Sequence, residues 1–335
     1  MPDIRNHPKR RLGASDLEMV PVGLGCMSFS GVYGASDDDA AVDLIHYAID
    51  CGVDALDSSD MYGWGHNEEL LGRALEGGRR DKVVLITKFG QVKNPDGGGN
   101  LVDGRPEYVI SCCEASLKRL KTDVIDLYFQ HRIDPKVPIE ETMGAVSQLI
   151  EQGKVRAAGI CEGKPETIRR AHATQPLAAL QSEYSLLYRE QGDEARAVTL
   201  ELGISYMAYA PLGRGLLTSQ YLSLDAMPED DPHYRHPRFA GENFAHNIEY
   251  ARRIAEIAEE KGCTPAQLCI AWLLGQGDDM VTIPGTKRRE RLDENLGALD
   301  VTLTADDLAR ISDVIPVGAA AGTRYPAGGM KNVHI

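Results

Sequence analysis

Eight times along this chain a short apolar run is followed by a stretch with helical periodicity, and that alternation constrains the fold more than any other feature. The runs are "VGLGC" (22–26), "VDALD" (53–57), "VVLITKF" (83–89), "VIDLYFQ" (124–130), "VRAAGI" (155–160), "LAALQSEY" (177–184), "ISYMAYA" (204–210) and "MVTIPG" (280–285). Strands buried on both faces read as such continuous runs. Helical patterns cover 66–77, 106–120, 138–152, 165–174, 192–202, 244–261, 264–276 and 287–298. Strand–helix units demand a parallel sheet, and eight of them close as a (β/α)8 barrel of the TIM type. An open Rossmann sheet would require G-x-G-x-x-G after a strand, and "GLGCMSFSG" does not meet that spacing. The segment "RRLGASDLEMVPVG" ahead of the first strand reads as a β-hairpin at the barrel bottom. No linker interrupts residues 1–335, so a single domain is expected. The loops at 94–100 and 213–243 and the tail 316–335 should lie over one face, on the substrate side. Glycine and proline deny the tail regular structure.

Charge narrows the partners. With 36 Lys and Arg against 50 Asp and Glu the formal net charge is −14, which repels nucleic acid and acidic membranes. No apolar run approaches the ~18 residues of a membrane span, and the N-terminus is polar. Seven scattered cysteines without a C-x-x-C indicate reduced thiols and a cytoplasmic protein, monomer or homo-oligomer. Any phosphate must meet a local basic cluster. One exists: "IPGTKRRERLDEN" carries Lys287, Arg288, Arg289 and Arg291 after the last strand, at a helix N-terminus. Free N–H groups, the dipole and arginine forks make an anion site there. The alternative is a solvated basic face.

Barrel chemistry sits at the C-terminal ends of strands. Asp57 and Tyr62 lie at and just after the second, Lys88 closes the third, and His131 follows the fourth. Singly, an aspartate there also caps turns, a tyrosine packs, and a histidine bonds structurally. Lysine, however, is rarely buried without a partner, and Asp57 is the natural one. Beside such a pair the pKa of Tyr62 should fall below its usual ~10, fitting it to protonate a developing alkoxide. Jointly the four describe a site that reduces a carbonyl.

At this point the chain resembles the aldo-keto reductases over nearly its whole length, through "DALDSSDMYG", "TKFG", "LYFQHRID", "RAAGICE", "LQSEYSLL", "YAPLGRGLL" and "IPGTKRRERLDENLGAL" in family order. The wording of "QHRIDPKVPIEETMGAV" is most similar to the branch holding plant perakine reductase. The resemblance implies a catalytic tetrad of Asp57, Tyr62, Lys88 and His131, with Tyr62 as general acid, and a small-molecule carbonyl substrate. It implies NADP(H) lying across the strand ends, its 2′-phosphate and adenine at Lys287, Arg288, Arg291, Glu294 and Asn295. The nicotinamide carboxamide falls to Cys161, Glu162 and Gln181, with Tyr209 stacked on the ring. Cys161 stands where the family has serine. The path between takes in Gly25, Met27, Pro211, Leu212, Gly213, Arg214, Gly285 and Thr286. Phe29, Trp64, His131 and Tyr325 are expected around the substrate. Competing expectations are a cofactor-sensing regulatory subunit with little turnover and a barrel glycoside hydrolase built on Asp57, Asp60, Glu162 and Glu183. Two tryptophans and 6% aromatics leave the latter little to stack on sugars. The nine histidines show no metal-ligand spacing, and no metal is expected.

Overall fold

The computed structural model describes residues 2–97, 99–218, 220 and 231–333. A two-stranded hairpin comes first, β1 (Arg10–Arg11) with β2 (Glu18–Met19). The barrel staves are β3 (Leu24–Gly25), β4 (Ala55–Asp57), β5 (Val84–Phe89), β8 (Ile125–Gln130), β9 (Val155–Cys161), β10 (Leu177–Glu183), β11 (Ser205–Tyr209) and β12 (Met280–Thr282). They pair in parallel in that order. Parallel bridges Val22–Thr282 and Gly25–Gly285 join the last stave to the first. At that seam a Cβ on Gly25 would stand 2.6 Å from the Ile283 carbonyl oxygen, so only glycine lets the two strands meet. A lesser hairpin, β6 (Gln91–Val92) with β7 (Leu101–Val102), spans the loop after β5.

Around the staves run α1 (Asp38–Cys51), α2 (His66–Ala74), α3 (Pro106–Leu120), α4 (Ile139–Glu151), α5 (Pro165–Thr174), α6 (Glu190–Leu202), α7 (Gly241–Glu260), α8 (Pro265–Leu274) and α9 (Arg289–Leu296). After them come α10 (Ala305–Val314) and the short α11 (Ala327–Met330). The helical count thus differs from the sequence expectation. Periodicity at 38–51 was passed over, although Asp37 caps Ala40 and Leu44, Ile45, Ala48 and Ile49 form its buried face. The seventh unit carries two helices, α7 and α8, as the patterns at 244–261 and 264–276 predict. The helix at α10 begins in a Thr304–Asp307 capping box, and the tail is not wholly irregular. Of the loop 213–243, residues 219 and 221–230 lie outside the described residues, as do 98, 334 and 335.

Side chains alternate between two cores, as the period of a strand requires. Ala55, Val84, Ile86, Leu127, Phe129, Ala157, Ala179, Met207 and Val281 fill the barrel, while Leu56, Leu85, Tyr128, Ile160, Leu180 and Tyr206 pack outward against the helices. Leu12, Leu17 and Met19 of the hairpin join the inner cluster and close the barrel floor. Ser205 fastens them there, its Oγ accepting from Gly13 N (3.0 Å) and donating to the Arg11 carbonyl (3.1 Å).

Candidate active site

The same alternation aims the site. Val84 and Ile86 point inward, so Lys88, the next residue of that parity on β5, does too. Ala55 sets Asp57, Leu127 and Phe129 set His131, Ala179 sets Gln181, and Met207 sets Tyr209. Five polar side chains from five staves therefore converge above the inner core. Lys88 is wholly buried, an expensive place for an ammonium. Three contacts compensate: Asp57 Oδ1 at 2.5 Å, the Ser58 carbonyl oxygen at 2.7 Å and the Tyr62 hydroxyl at 3.4 Å. The other Asp57 oxygen accepts from Gln181 Nε2 at 2.7 Å. Tyr62 opens a tight turn, Tyr62–Gly65, in which Gly63 and Trp64 adopt positive φ, and it meets the His131 ring edge-on with centroids 5.7 Å apart. Ser59 Oγ lies 3.0 Å from His131 Nδ1.

The electrostatics correct one expectation. Burial lifts the Tyr62 phenol above its usual range; Lys88 opposes the rise, while Asp57 adds to it. Lys88 does pull the phenol down as expected, but burial outweighs it, and the Asp57 carboxylate that Lys88 holds at 2.5 Å adds to the rise. Burial first, with Arg132 and Lys88 adding, holds His131 well below its ordinary value, so the imidazole is neutral.

A cavity of about 720 Å³ opens over these groups and runs to the start of α9. Gly25, Met27, Asp57, Tyr62, His131, Gln181 and Tyr209 line its inner part. Pro211, Leu212 and Arg214 follow, and Gly285, Thr286, Lys287, Arg288, Arg291, Glu294 and Asn295 line the far end. Tyr325 reaches the wall from the tail. Gly213 packs beneath the wall, where a Cβ would stand 2.5 Å from Leu187 Cδ1. Phe29 is 1% exposed and belongs to the outer core, and Trp64, at 44% exposure, stands clear of the cavity. Neither is brought to the wall; the backbone at Met27–Ser30 and at Trp64 (φ 55°) turns them away.

Cys161 and Glu162 also lie behind the wall. Cys161 packs in the inner core. Glu162 adopts φ 58° and turns into a buried ionic cluster that sequence did not reveal. Arg324 of the tail grips it with both nitrogens, at 2.9 and 2.7 Å. Ser182 Oγ and the Glu183 amide donate to it at 3.0 Å each, and the Tyr209 hydroxyl at 2.8 Å. Glu183 in turn pairs with Arg238 (3.0 Å) and Arg214 (3.2 Å). The hydroxyls of Tyr209 and Tyr325 meet at 2.9 Å, and the Arg214 guanidinium lies 4.9 Å from the centre of the Tyr325 ring. Arg238 and Arg324 sit in segments without periodicity, so no pattern in the chain marks them. Of the four carboxylates offered to a glycoside hydrolase, Asp57, Glu162 and Glu183 are each committed to a cation, which leaves Asp60, bonded by Ser59, without a second carboxylate to form the required pair.

At the far end, α9 begins at Arg289, two residues later than periodicity suggests. Lys287 and Arg288 therefore precede the helix rather than form its first turn. Lys287 donates to the carbonyl oxygens of Tyr33 (2.8 Å) and Ala35 (2.9 Å), tying this end to the loop after β3. Arg291 pairs with Glu294 at 2.6 Å. Among the described residues no side chain caps the first turn of α9, which suits its amides to receive an anion.

A closed β/α barrel with a lysine-bridged tyrosine and a neutral histidine at one mouth defines a barrel enzyme equipped for proton transfer to a polar substrate. Residues 21–316 match the model of the aldo/keto reductase family, and the chain belongs to that family. It is 43% identical over 321 residues to "Probable aldo-keto reductase 1" of Glycine max, covering 95% of this chain and 92% of that protein. Identity is likewise 43% over 333 residues with "Aldo-keto reductase yakc [NADP(+)]" of Schizosaccharomyces pombe, covering 98% and 97%. Among solved structures, the glycerol dehydrogenase AKR11B4 from Gluconobacter oxydans superposes with a TM-score of 0.83 at 29% identity, covering 95% and 97% of the two chains. The protein is thus an oxidoreductase of carbonyl chemistry in a family that works with nicotinamide cofactors. Among the described residues, no helix is long and apolar enough to cross a membrane.

Proposed function

We propose that this enzyme reduces an aldehyde or ketone to the alcohol with NADPH, and that Tyr62 is the proton donor. The observation that carries this reading is the Lys88 ammonium, held between Asp57 and the Tyr62 hydroxyl under a cavity that ends at a basic helix start. Tyr62 keeps its proton at working pH, as a donor must. Lys88 acts where charge develops: as the proton leaves toward the alkoxide, the ammonium stabilises the forming phenolate. His131, neutral and lining the same cavity, orients the carbonyl oxygen. Gln181, fixed by Asp57, and Tyr209 border the place for the nicotinamide. When bound, the cofactor supplies the hydride to the carbonyl carbon.

The residues present fit such a molecule. Ser28 Oγ is buried in the cavity wall without a hydrogen-bond partner among the described residues. Arg288 and Arg291 face the far end beside the first-turn amides of α9. The yeast relative's name, with its NADP(+), agrees with that basic end. Cys161 is buried in the inner core and Glu162 is held by Arg324, so neither borders the cavity where the carboxamide would lie. Gln181 is therefore the contact expected to hold it.

Purified protein with NADPH and 4-nitrobenzaldehyde, followed at the NADPH absorbance, tests the proposal. Consumption is expected, and Tyr62→Phe should retain NADPH binding yet lose at least ~10²-fold in rate. Wild-type turnover in that variant would remove Tyr62 from the mechanism.

A further inference from the structure

We propose that Ser59 and Asp60 are positioning residues that decide which ring nitrogen of His131 carries the proton, and with it whether His131 can donate to a carbonyl. The inference rests on the reading of His131 as the group that orients the substrate oxygen. Its basis is a short hydrogen-bond chain: Ser59 Oγ lies 3.0 Å from His131 Nδ1 and 3.1 Å from Asp60 Oδ1. The Met61 amide also donates to Ser59 Oγ, at 3.3 Å.

A hydroxyl has one proton to give and two lone pairs. The Met61 amide takes one lone pair. The single Ser59 proton must therefore choose between Asp60 and His131, and the remaining lone pair must meet a donor from the other side. Only two arrangements satisfy every atom. If Asp60 is ionised it can only accept, so Ser59 donates to it and Nδ1 of the neutral His131 donates to Ser59. Nε2 is then a bare lone pair, which repels a carbonyl oxygen. If Asp60 is protonated it donates to Ser59, Ser59 donates to Nδ1, and the proton of His131 resides on Nε2. That tautomer can donate to a carbonyl in the cavity His131 lines.

The surroundings set the switch within the neutral range. Asp60 follows β4 in a partly buried loop, and its amide donates to the Lys88 carbonyl oxygen at 3.2 Å. Burial, then the carboxylate of Glu68 on α2, lift its carboxyl up to about 7; Ser59, Arg119 of α3 and the Met61 amide pull the other way. Arg119 is largely spent, since Glu68 Oε2 holds it at 2.6 Å. Tyr108 and Cys112 of α3 and Tyr128 of β8 also face Asp60, and burial keeps all three neutral. Around His131 stand Arg132, Lys88 and Tyr62, none of which releases a proton near pH 7.

The test is a tautomer measurement on the NADP⁺ complex carrying ¹⁵N-labelled histidine, with His131→Gln to assign the signals. Below pH ~6.5 the His131 signals should report a proton on Nε2, and above pH ~8 a proton on Nδ1. Asp60→Asn should fix one tautomer at every pH, and Ser59→Ala should abolish the switch. In single-turnover hydride transfer the wild-type rate should fall roughly two- to tenfold across the same window, the scale of one hydrogen bond. In Asp60→Asn it should stay flat. One unchanging tautomer in the wild type from pH 6 to 9, or a wild-type switch in Asp60→Asn, overturns the inference. A tautomer switch in a protein that reduces no carbonyl would sustain it and refute the reductase reading instead.

Discussion

Lys88 and Asp57 have to be considered as one group. Each is buried, and each would be an uncompensated charge without the other. Removing either partner of such a pair typically costs ~3–5 kcal/mol, whereas removing both costs far less. Lys88→Met and Asp57→Asn should each lower stability and turnover sharply, and the double variant should lose much less than their sum. Denaturant unfolding and steady-state rates on all four proteins check this; additive losses would show two independent residues. At this scale the sequence was legible where parity operates. Counting alternate residues back from Lys88 or Asp57 predicts that they face one another, and they do. It was not legible where contacts join distant irregular segments: nothing in "GTRYPAGG" announces that Arg324 will neutralise Glu162. Nor did it show that burial would outweigh Lys88 at Tyr62, because desolvation depends on everything packed around a group.

Among the elements, α9 is where the proposed preference for NADPH can be tested. The cofactors differ only in a 2′-phosphate, and the cavity's far end offers it Arg288, Arg291 and uncapped amides. Arg291 is already paired with Glu294 on the next turn, so a phosphate would compete with a carboxylate for it. One charge-assisted hydrogen bond is worth ~1.5–3 kcal/mol, or roughly ten- to a hundredfold in affinity. Arg291→Ala should weaken NADPH by that factor and leave NADH nearly unchanged, and raising salt should narrow the wild-type preference. Fluorescence titration with both cofactors reads it out; equal wild-type affinities would make the basic run a solvated face. The staves were legible as elements because buried strands are continuous apolar runs, although β3, β4 and β12 are two to three residues shorter than the runs at 22–26, 53–57 and 280–285. Helix boundaries were less so. The start of α9 at Arg289, two residues late, follows from tertiary packing, which periodicity does not encode.

For the molecule as a whole, the Glu162–Arg324 pair fastens the tail across the barrel mouth. Burial alone would raise the Glu162 carboxyl, but the bonds and charge of Arg324, with Arg132, hold it down at about 2. The ordinary glutamate value is ~4.3. A carboxylate depressed in the fold contributes stability above its unfolded value and loses it as pH falls toward the folded one. Calorimetry should show the melting temperature of the wild type falling between pH ~4.5 and 2 more steeply than that of Glu162→Gln. Identical slopes would show that the pair contributes nothing to acid stability.

The seam between β3 and β12 has its own consequence, in the order of synthesis. A barrel closed by bridges from Val22 to Thr282 and from Gly25 to Gly285 joins strands 260 residues apart (282 − 22). Asp57, Tyr62 and Lys88 leave the ribosome well before α9 and Arg324. Until the final stave emerges there is no ring, and Lys88 has a carboxylate but no roof. Contacts so distant along the chain form slowly, because loop closure must precede them. A nascent or truncated chain ending before the seam would thus expose the inner face of its strands and leave the cavity over Lys88 incomplete. Such a product would interest the cell's chaperones before it could meet a substrate.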